Sequence, residues 1–345
     1  MIAPVLGWLL YFSGFATANT VLIVLAALLL IPSVMAAVHH SEVIAHKVGE
    51  PFGTIILALA VTVLESSIII SLMTAGGEGV ATLARDTLFA AVMLILNGIL
   101  GMSFLIGTIK FHEQFFVSKS ANLALVALVA ILVLTLVLPN FTSSTPAGTY
   151  SVPQLVFVAL ACLVLYTAFV LVQTVRHRNY FLPEGDDDTP QVVGKKKAWV
   201  SLAFLLVSLG IVVLMAKKLS PSIESAVVSA GLPVSLVGVI IAGVILLPEF
   251  LAALNAAARN KLQISVNLAL GSALASIGLT IPVVAVVCIM YDIPLVLGLD
   301  QKSMVLLGLS FFTALLSLSR GHTNILYGVV SLVNLVAYIF TIVYQ

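Results

Sequence analysis

An all-α integral membrane protein of about eleven transmembrane helices is what the sequence predicts, on three observations. Hydrophobic residues make up 61% of the 345 positions and charged residues only 8%, where a soluble domain carries roughly 25% charged residues. The mean hydropathy is +1.22. Apolar runs long enough to cross a bilayer, broken by charge and by Gly/Pro clusters, recur along the whole chain.

Those breaks bound the expected spans at 3–15, 18–38, 51–74, 86–109, 120–138, 152–174, 198–216, 232–257, 262–290, 303–319 and 323–343. The first is short. No basic segment precedes it, so no cleavable leader is expected. Span 2 gives way to the polar cluster His39, His40, Glu42 and His46. Pro51 opens span 3, and Arg85 with Asp86 opens span 4 as an ion pair or interfacial anchor. Between spans 6 and 7 lies the only long polar linker, 175–197.

With eleven spans, eleven of the fifteen Lys and Arg residues fall on one side and four on the other. The basic side is cytoplasmic, which puts the N-terminus inside and the C-terminus outside. The linker divides the chain into an extra helix (1–17), a five-helix group (18–174), the linker itself (175–197) and a second five-helix group (198–345). Five is odd, so the second group enters the membrane inverted, the plan of many secondary transporters. A net charge of +1 points away from nucleic acid, leaving the lipid bilayer and small ions as partners. Cys162 and Cys288 lie in apolar segments and read as small core residues.

Glu65 and Glu249 are lone acids in the middle of apolar spans. An ionisable group at that depth costs several kcal/mol, so it marks function by default. Glu65 lies 14 residues after Pro51, and Glu249 lies 15 after Val234. At about 1.5 Å per residue, both reach roughly 21–23 Å into their spans. Two carboxylates at one depth can close on a divalent cation or take up two protons. A hard cation wants six to eight oxygens, more than two carboxylates supply. Thr62, on the face of Glu65, and Asn97, Ser272 and Ser276, with Asn267 in addition, are the candidate further ligands. Pro248 cannot donate a helix hydrogen bond, so it is expected to free the carbonyl near Val244 and kink the helix beside the site. Burial and a second carboxylate both favour protonation of the empty pair, which couples cation and proton binding. The other role open to such acids is to bridge helices through hydrogen bonds.

Several polar groups lie outside this pair. The histidine cluster after span 2 fits no strong ligand spacing and reads as a solvated interfacial segment, with metal binding or pH sensing as the other reading. Glu50 caps span 3 or funnels cations into it. Glu184, Asp186, Asp187 and Asp188 form an acidic patch in the linker, read as a solvated loop or a loose regulatory Ca²⁺ site. No helical HExxH and no nucleophile paired with a base lies in a span, which argues against an intramembrane enzyme and against any bound cofactor. A passive channel fits tight-binding, protonatable carboxylates less well than a carrier does.

The blocks HKVGEPFGTIILALAVTVLES, ARDTLFAAVMLILNG and LLPEFLAALNAA…NKLQISVNLALGSALASIGLTIP resemble the cation/proton exchanger branch of the calcium:cation antiporter superfamily. The resemblance covers nearly the whole chain. It implies a ten-helix core of two inverted five-helix repeats in a bacterial inner membrane, with one cation-binding acid per repeat. Those acids match Glu65 and Glu249. Polar residues on the following helices match Asn97 and the surroundings of Ser272, and spans 2 and 7 would form the moving gate. Many members carry Gly-Asn shortly before the acid, whereas this chain has VTVLE and ILLPE. The amide ligands of those positions are missing. The expected activity is therefore proton-coupled export of Ca²⁺, with Na⁺ or K⁺ as further or alternative cations.

Overall fold

Apolar residues in a bilayer must satisfy every backbone N–H and C=O internally, which leaves helices as the open-chain solution. The computed structural model describes residues 2–48, 52–75, 79–181 and 194–344, and its helices follow this rule. They are α1 (Ile2–Phe12), α2 (Thr20–Val48), α3 (Phe52–Ala75), α4 (Val80–Phe111), α5 (Ser118–Phe141), α6 (Val152–Arg176), α7 (Lys195–Ser229), α8 (Ser235–Ala258), α9 (Leu262–Tyr291), α10 (Gln301–Ser319) and α11 (Ile325–Val343). Each expected span coincides with one of them. Among the described residues, nine helices are long and apolar enough to cross a membrane, with Ile2–Phe12 and Leu59–Thr74 as shorter apolar helices. The only β-pairing there is two isolated bridges, Phe115 with His322 and Thr149 with Val296. This is a multi-pass, all-α membrane protein.

Two helices overrun their expected ends. α2 continues through the histidine cluster to Val48, and α7 continues past Lys217 and Lys218 to Ser229. Neither overrun contains a Gly. The α7 extension is held by Lys218, which lies 5.4 Å over the Tyr11 ring and reaches the Gly14 carbonyl at 3.5 Å. The reading of the histidines as a solvated segment is corrected for His40. It is only 2% exposed, because its ring stacks on Phe204 of α7 with centroids 5.3 Å apart.

By internal packing the chain forms two compact units. One comprises Met1–Val80 with Asp187–Pro248, the other Ala81–Asp186 with Glu249–Gln345. Each draws on both halves of the sequence. In the first unit, α2 packs on α3 and α7, α3 packs on α7, and α1 packs on α2 and α7. Its core includes Ala26, Ile211, Met215 and Leu219. α1 docks through Trp8, whose indole N–H donates to the Val207 carbonyl at 3.0 Å.

In the second unit, α9 packs on α4, α5 and α6, and α11 packs on α4 and α10. α4 and α11 approach backbone to backbone. A Cβ on Gly328 would lie 2.8 Å from the Leu105 nitrogen and 2.9 Å from the Gly101 carbonyl oxygen. Small residues at such crossings are how helices gain van der Waals contact in lipid. The outward faces stay apolar, as at Phe157, Leu160 and Val164 of α6, all exposed. Cys162 and Cys288 are free and buried, as read.

Candidate functional site

The two acids sit in helices of equal length. α3 and α8 have 24 residues each. Glu65 lies 13 residues past Phe52, and Glu249 lies 14 past Ser235. With about 1.5 Å of rise per residue, each carboxylate is roughly 20 Å from the start of its helix. Both are almost fully buried, Glu65 at 3% exposure and Glu249 at 5%.

In the first unit, Thr62 precedes Glu65 by three residues and so shares its helix face. It too is buried. The Ser66 hydroxyl turns back along α3 and donates to the Thr62 carbonyl at 2.6 Å. Thr62 and Glu65 are thus the polar side chains that this stretch of α3 presents together.

The other candidates belong to the second unit. Asn97 lies in Leu94–Ile99, a π-helical stretch within α4, where the Leu100 N–H donates to the carbonyl of Ile95, five residues back. Such single-turn widenings are frequent at functional sites, because they unseat the regular carbonyl pattern. The Asn97 side-chain amide donates to Ser310 Oγ of α10 at 2.8 Å. That bond orients the amide nitrogen toward α10 and the amide oxygen away from it. α9, which carries Ser272 and Ser276 one turn apart, packs directly against this π stretch. Ser276 is buried and Ser272 half-buried.

Asn267 is engaged elsewhere. It accepts from the Gln263 side chain at 2.8 Å and donates to the Phe181 carbonyl at 2.7 Å. Gln263 in turn bonds Ser120 Oγ and the Val117 backbone N–H. Both ends of the Asn267 amide are used in tying the start of α9 to neighbouring chain.

Pro248 lies inside α8, which runs from Ser235 to Ala258. It withholds one donor from the Val244 carbonyl. Glu50, Glu184, Asp186, Asp187 and Asp188 lie outside the described residues. Arg85 and Asp86 form the expected ion pair at 2.8 Å, and Arg85 also donates to the Gly298 carbonyl.

Sequence reasoning missed Ser310, the π stretch and the buried Ser103–Ser265 hydroxyl pair, 2.7 Å apart across α4 and α9. Ser310 carries a legible signal, a polar residue inside an apolar run. The π stretch has none, because it depends on what packs around it.

The family model for the sodium/calcium exchanger protein matches twice, over residues 18–175 and 200–344. The candidate ionic transporter y4hA of Sinorhizobium fredii is 44% identical over 91% of this chain and 86% of its own length. The sodium-potassium/proton antiporter ChaA of Escherichia coli K12 is 36% identical over 99% of this chain and 95% of its own. Among solved structures, the Ca²⁺/H⁺ antiporter protein YfkE matches the fold with a TM-score of 0.77 at 19% identity, covering 100% of this chain and 99% of that one. With both halves matched by the family model and a relative 36% identical over 99% of it, the chain is a member of the sodium/calcium exchanger protein family.

Proposed function

We propose that this protein is a proton-coupled cation antiporter that exports Ca²⁺, with Na⁺ or K⁺ as further substrates, from the cytoplasm. The observation that carries the reading is the pair of buried glutamates at matching positions of two 24-residue helices. Glu65 with Thr62, and Glu249 with Asn97, Ser272 and Ser276, supply carboxylate, hydroxyl and amide oxygens, the donor set of a hard cation. Asn267, bound at both ends of its amide, serves as a support of α9. The family match to each half supports two inverted repeats at 18–174 and 198–345, with the N-terminus cytoplasmic and the C-terminus outside.

In the proposed cycle, deprotonated Glu65 and Glu249 take the cation from the cytoplasm. Movement of α2 and α7, which pack on each other in one unit, closes that path and opens the outer one. Protons from outside then displace the cation. One Ca²⁺ against two protons is electroneutral, and each further proton adds about 2.3 kcal/mol per 100 mV of membrane potential.

A second reading is a monovalent cation/proton antiporter with little Ca²⁺ transport. It is favoured by the sodium-potassium/proton name of the 36%-identical relative and by the absence of Gly-Asn before either acid. Exchange in everted vesicles separates the two. Proton release on adding Ca²⁺ is expected; release with Na⁺ or K⁺ alone would overturn the first reading in favour of the second.

A further inference from the structure

Three buried polar atoms in the first unit have no hydrogen-bond partner among the described residues: His40 Nδ1 on α2, Ser208 Oγ on α7 and, at the start of α8, Ser235 Oγ. Ser208 is fully buried and His40 is 2% exposed. Orphaned buried groups of this kind are rare, and an ordered water is one standard explanation. The first two lie on helices that pack on each other. The His40 ring stacks on Phe204 at 5.3 Å, so His40 and Phe204 share one level. Ser208 follows Phe204 by four residues, on the same helix face and about 6 Å further along.

Which way that step leads is set by the ends of the helices. A cavity of about 160 Å³ is lined by Ile44 and Lys47 near the end of α2 and by Ala198, Trp199 and Leu202 near the start of α7. The end of α2 therefore adjoins the start of α7, and moving from Phe204 to Ser208 leads away from this mouth. α3 leaves the same mouth, because only residues 49–51 join it to α2 and the two helices pack together. His40 lies eight residues from the mouth along α2, and Glu65 lies 13 along α3. Counted along their own helices, Glu65 is five residues further from the mouth than His40, in the direction in which Ser208 also lies. α2, α3 and α7 pack on one another pairwise.

We infer that the cavity, His40 and Ser208 form a hydrated proton path between Glu65 and the cytoplasm. The inference rests on the assignment of Glu65 as the protonated carrier group. When a cation displaces the proton of Glu65, the O–H breaks and the proton passes through water held by Ser208 to the lone pair of His40 Nδ1. The ring then yields a proton to water in the cavity, and Glu65 is left as carboxylate. Imidazole is suited to this because it gains and loses a proton near neutral pH. The other titratable groups around His40 are few. α2 carries His39, Glu42, His46 and Lys47, α3 carries only Glu65, and neither α1 nor the stretch of α7 between Lys197 and Lys217 carries any charge.

The test is cation-driven proton release from proteoliposomes, read with a pH dye from about pH 6 to 8, beside equilibrium cation binding at alkaline pH. H40Q and S208A are expected to slow release roughly tenfold and to flatten its pH profile, with cation binding unchanged, as loss of a proton carrier would do. S208T keeps the hydroxyl and is expected to keep the wild-type rate. Wild-type release and pH profile in H40Q would overturn the path, and so would loss of cation binding in H40Q, the mark of a structural role. E65Q separates the two proposals. An inactive E65Q beside an unaffected H40Q removes only the path, whereas full exchange in E65Q removes the site assignment and the path with it.

Discussion

Asn97 and Ser310 are joined across α4 and α10 by a 2.8 Å hydrogen bond, at the middle of the π-helical turn. Both side chains are 1% exposed, so the bond is made out of reach of water and determines which way the Asn97 oxygen faces. S310A leaves a buried amide N–H without its acceptor, which costs about 1–3 kcal/mol. The expected outcome is a lower melting temperature and weaker cation affinity, both milder than in N97A, which also removes the oxygen. Fluorescence-detected melting and the cation concentration for half-maximal exchange measure the two effects.

Replacing either acid separately tests whether each is required. E65Q and E249Q keep size and hydrogen-bonding capacity but lose the titrating charge. Each is expected to reduce cation-dependent proton exchange to background while the protein still reaches the membrane. Near-normal exchange in both variants would show that the acids only bridge helices.

Pro248 offers a reciprocal prediction. P248A supplies the missing amide donor to the Val244 carbonyl, and an interior proline costs a helix about 3 kcal/mol. Thermal stability is expected to rise. If the freed carbonyl serves cation binding, affinity falls at the same time; a stabilised protein with unchanged affinity would assign that carbonyl no role.

The crossing of α4 and α11 has no room for a side chain. G328L would drive a branched residue onto the backbone of Leu105 and Gly101, within 3 Å of where a Cβ already lands. Poor expression and a loss of monodispersity on size-exclusion chromatography are expected, whereas G308L on α10, where a Cβ meets nothing within 4 Å, should behave as wild type.

Local chemistry was enough for much of this protein. Each of the eleven apolar runs became a helix, because the cost of an unpaired backbone group in lipid leaves short segments no other choice. The depth of Glu65 and Glu249 was legible for the same reason, since helical rise converts residue count directly into distance. What packing decided lies elsewhere. The apolar pattern ends span 2 before the histidines, yet α2 runs on and buries His40 against Phe204, a residue 164 positions away whose ring no local pattern could assign to it. Asn267 and Asn97 look alike in sequence, as lone amides in apolar surroundings. One is bound at both ends of its amide at the start of α9, and the other is turned by Ser310 within a π turn, because hydrogen-bond partners come from other helices. The sequence by itself determined the membrane class, the spans and the two expensive acids, all properties of single helices. Only the tertiary structure decided which polar groups are satisfied and which way they face, because that depends on what each helix is packed against.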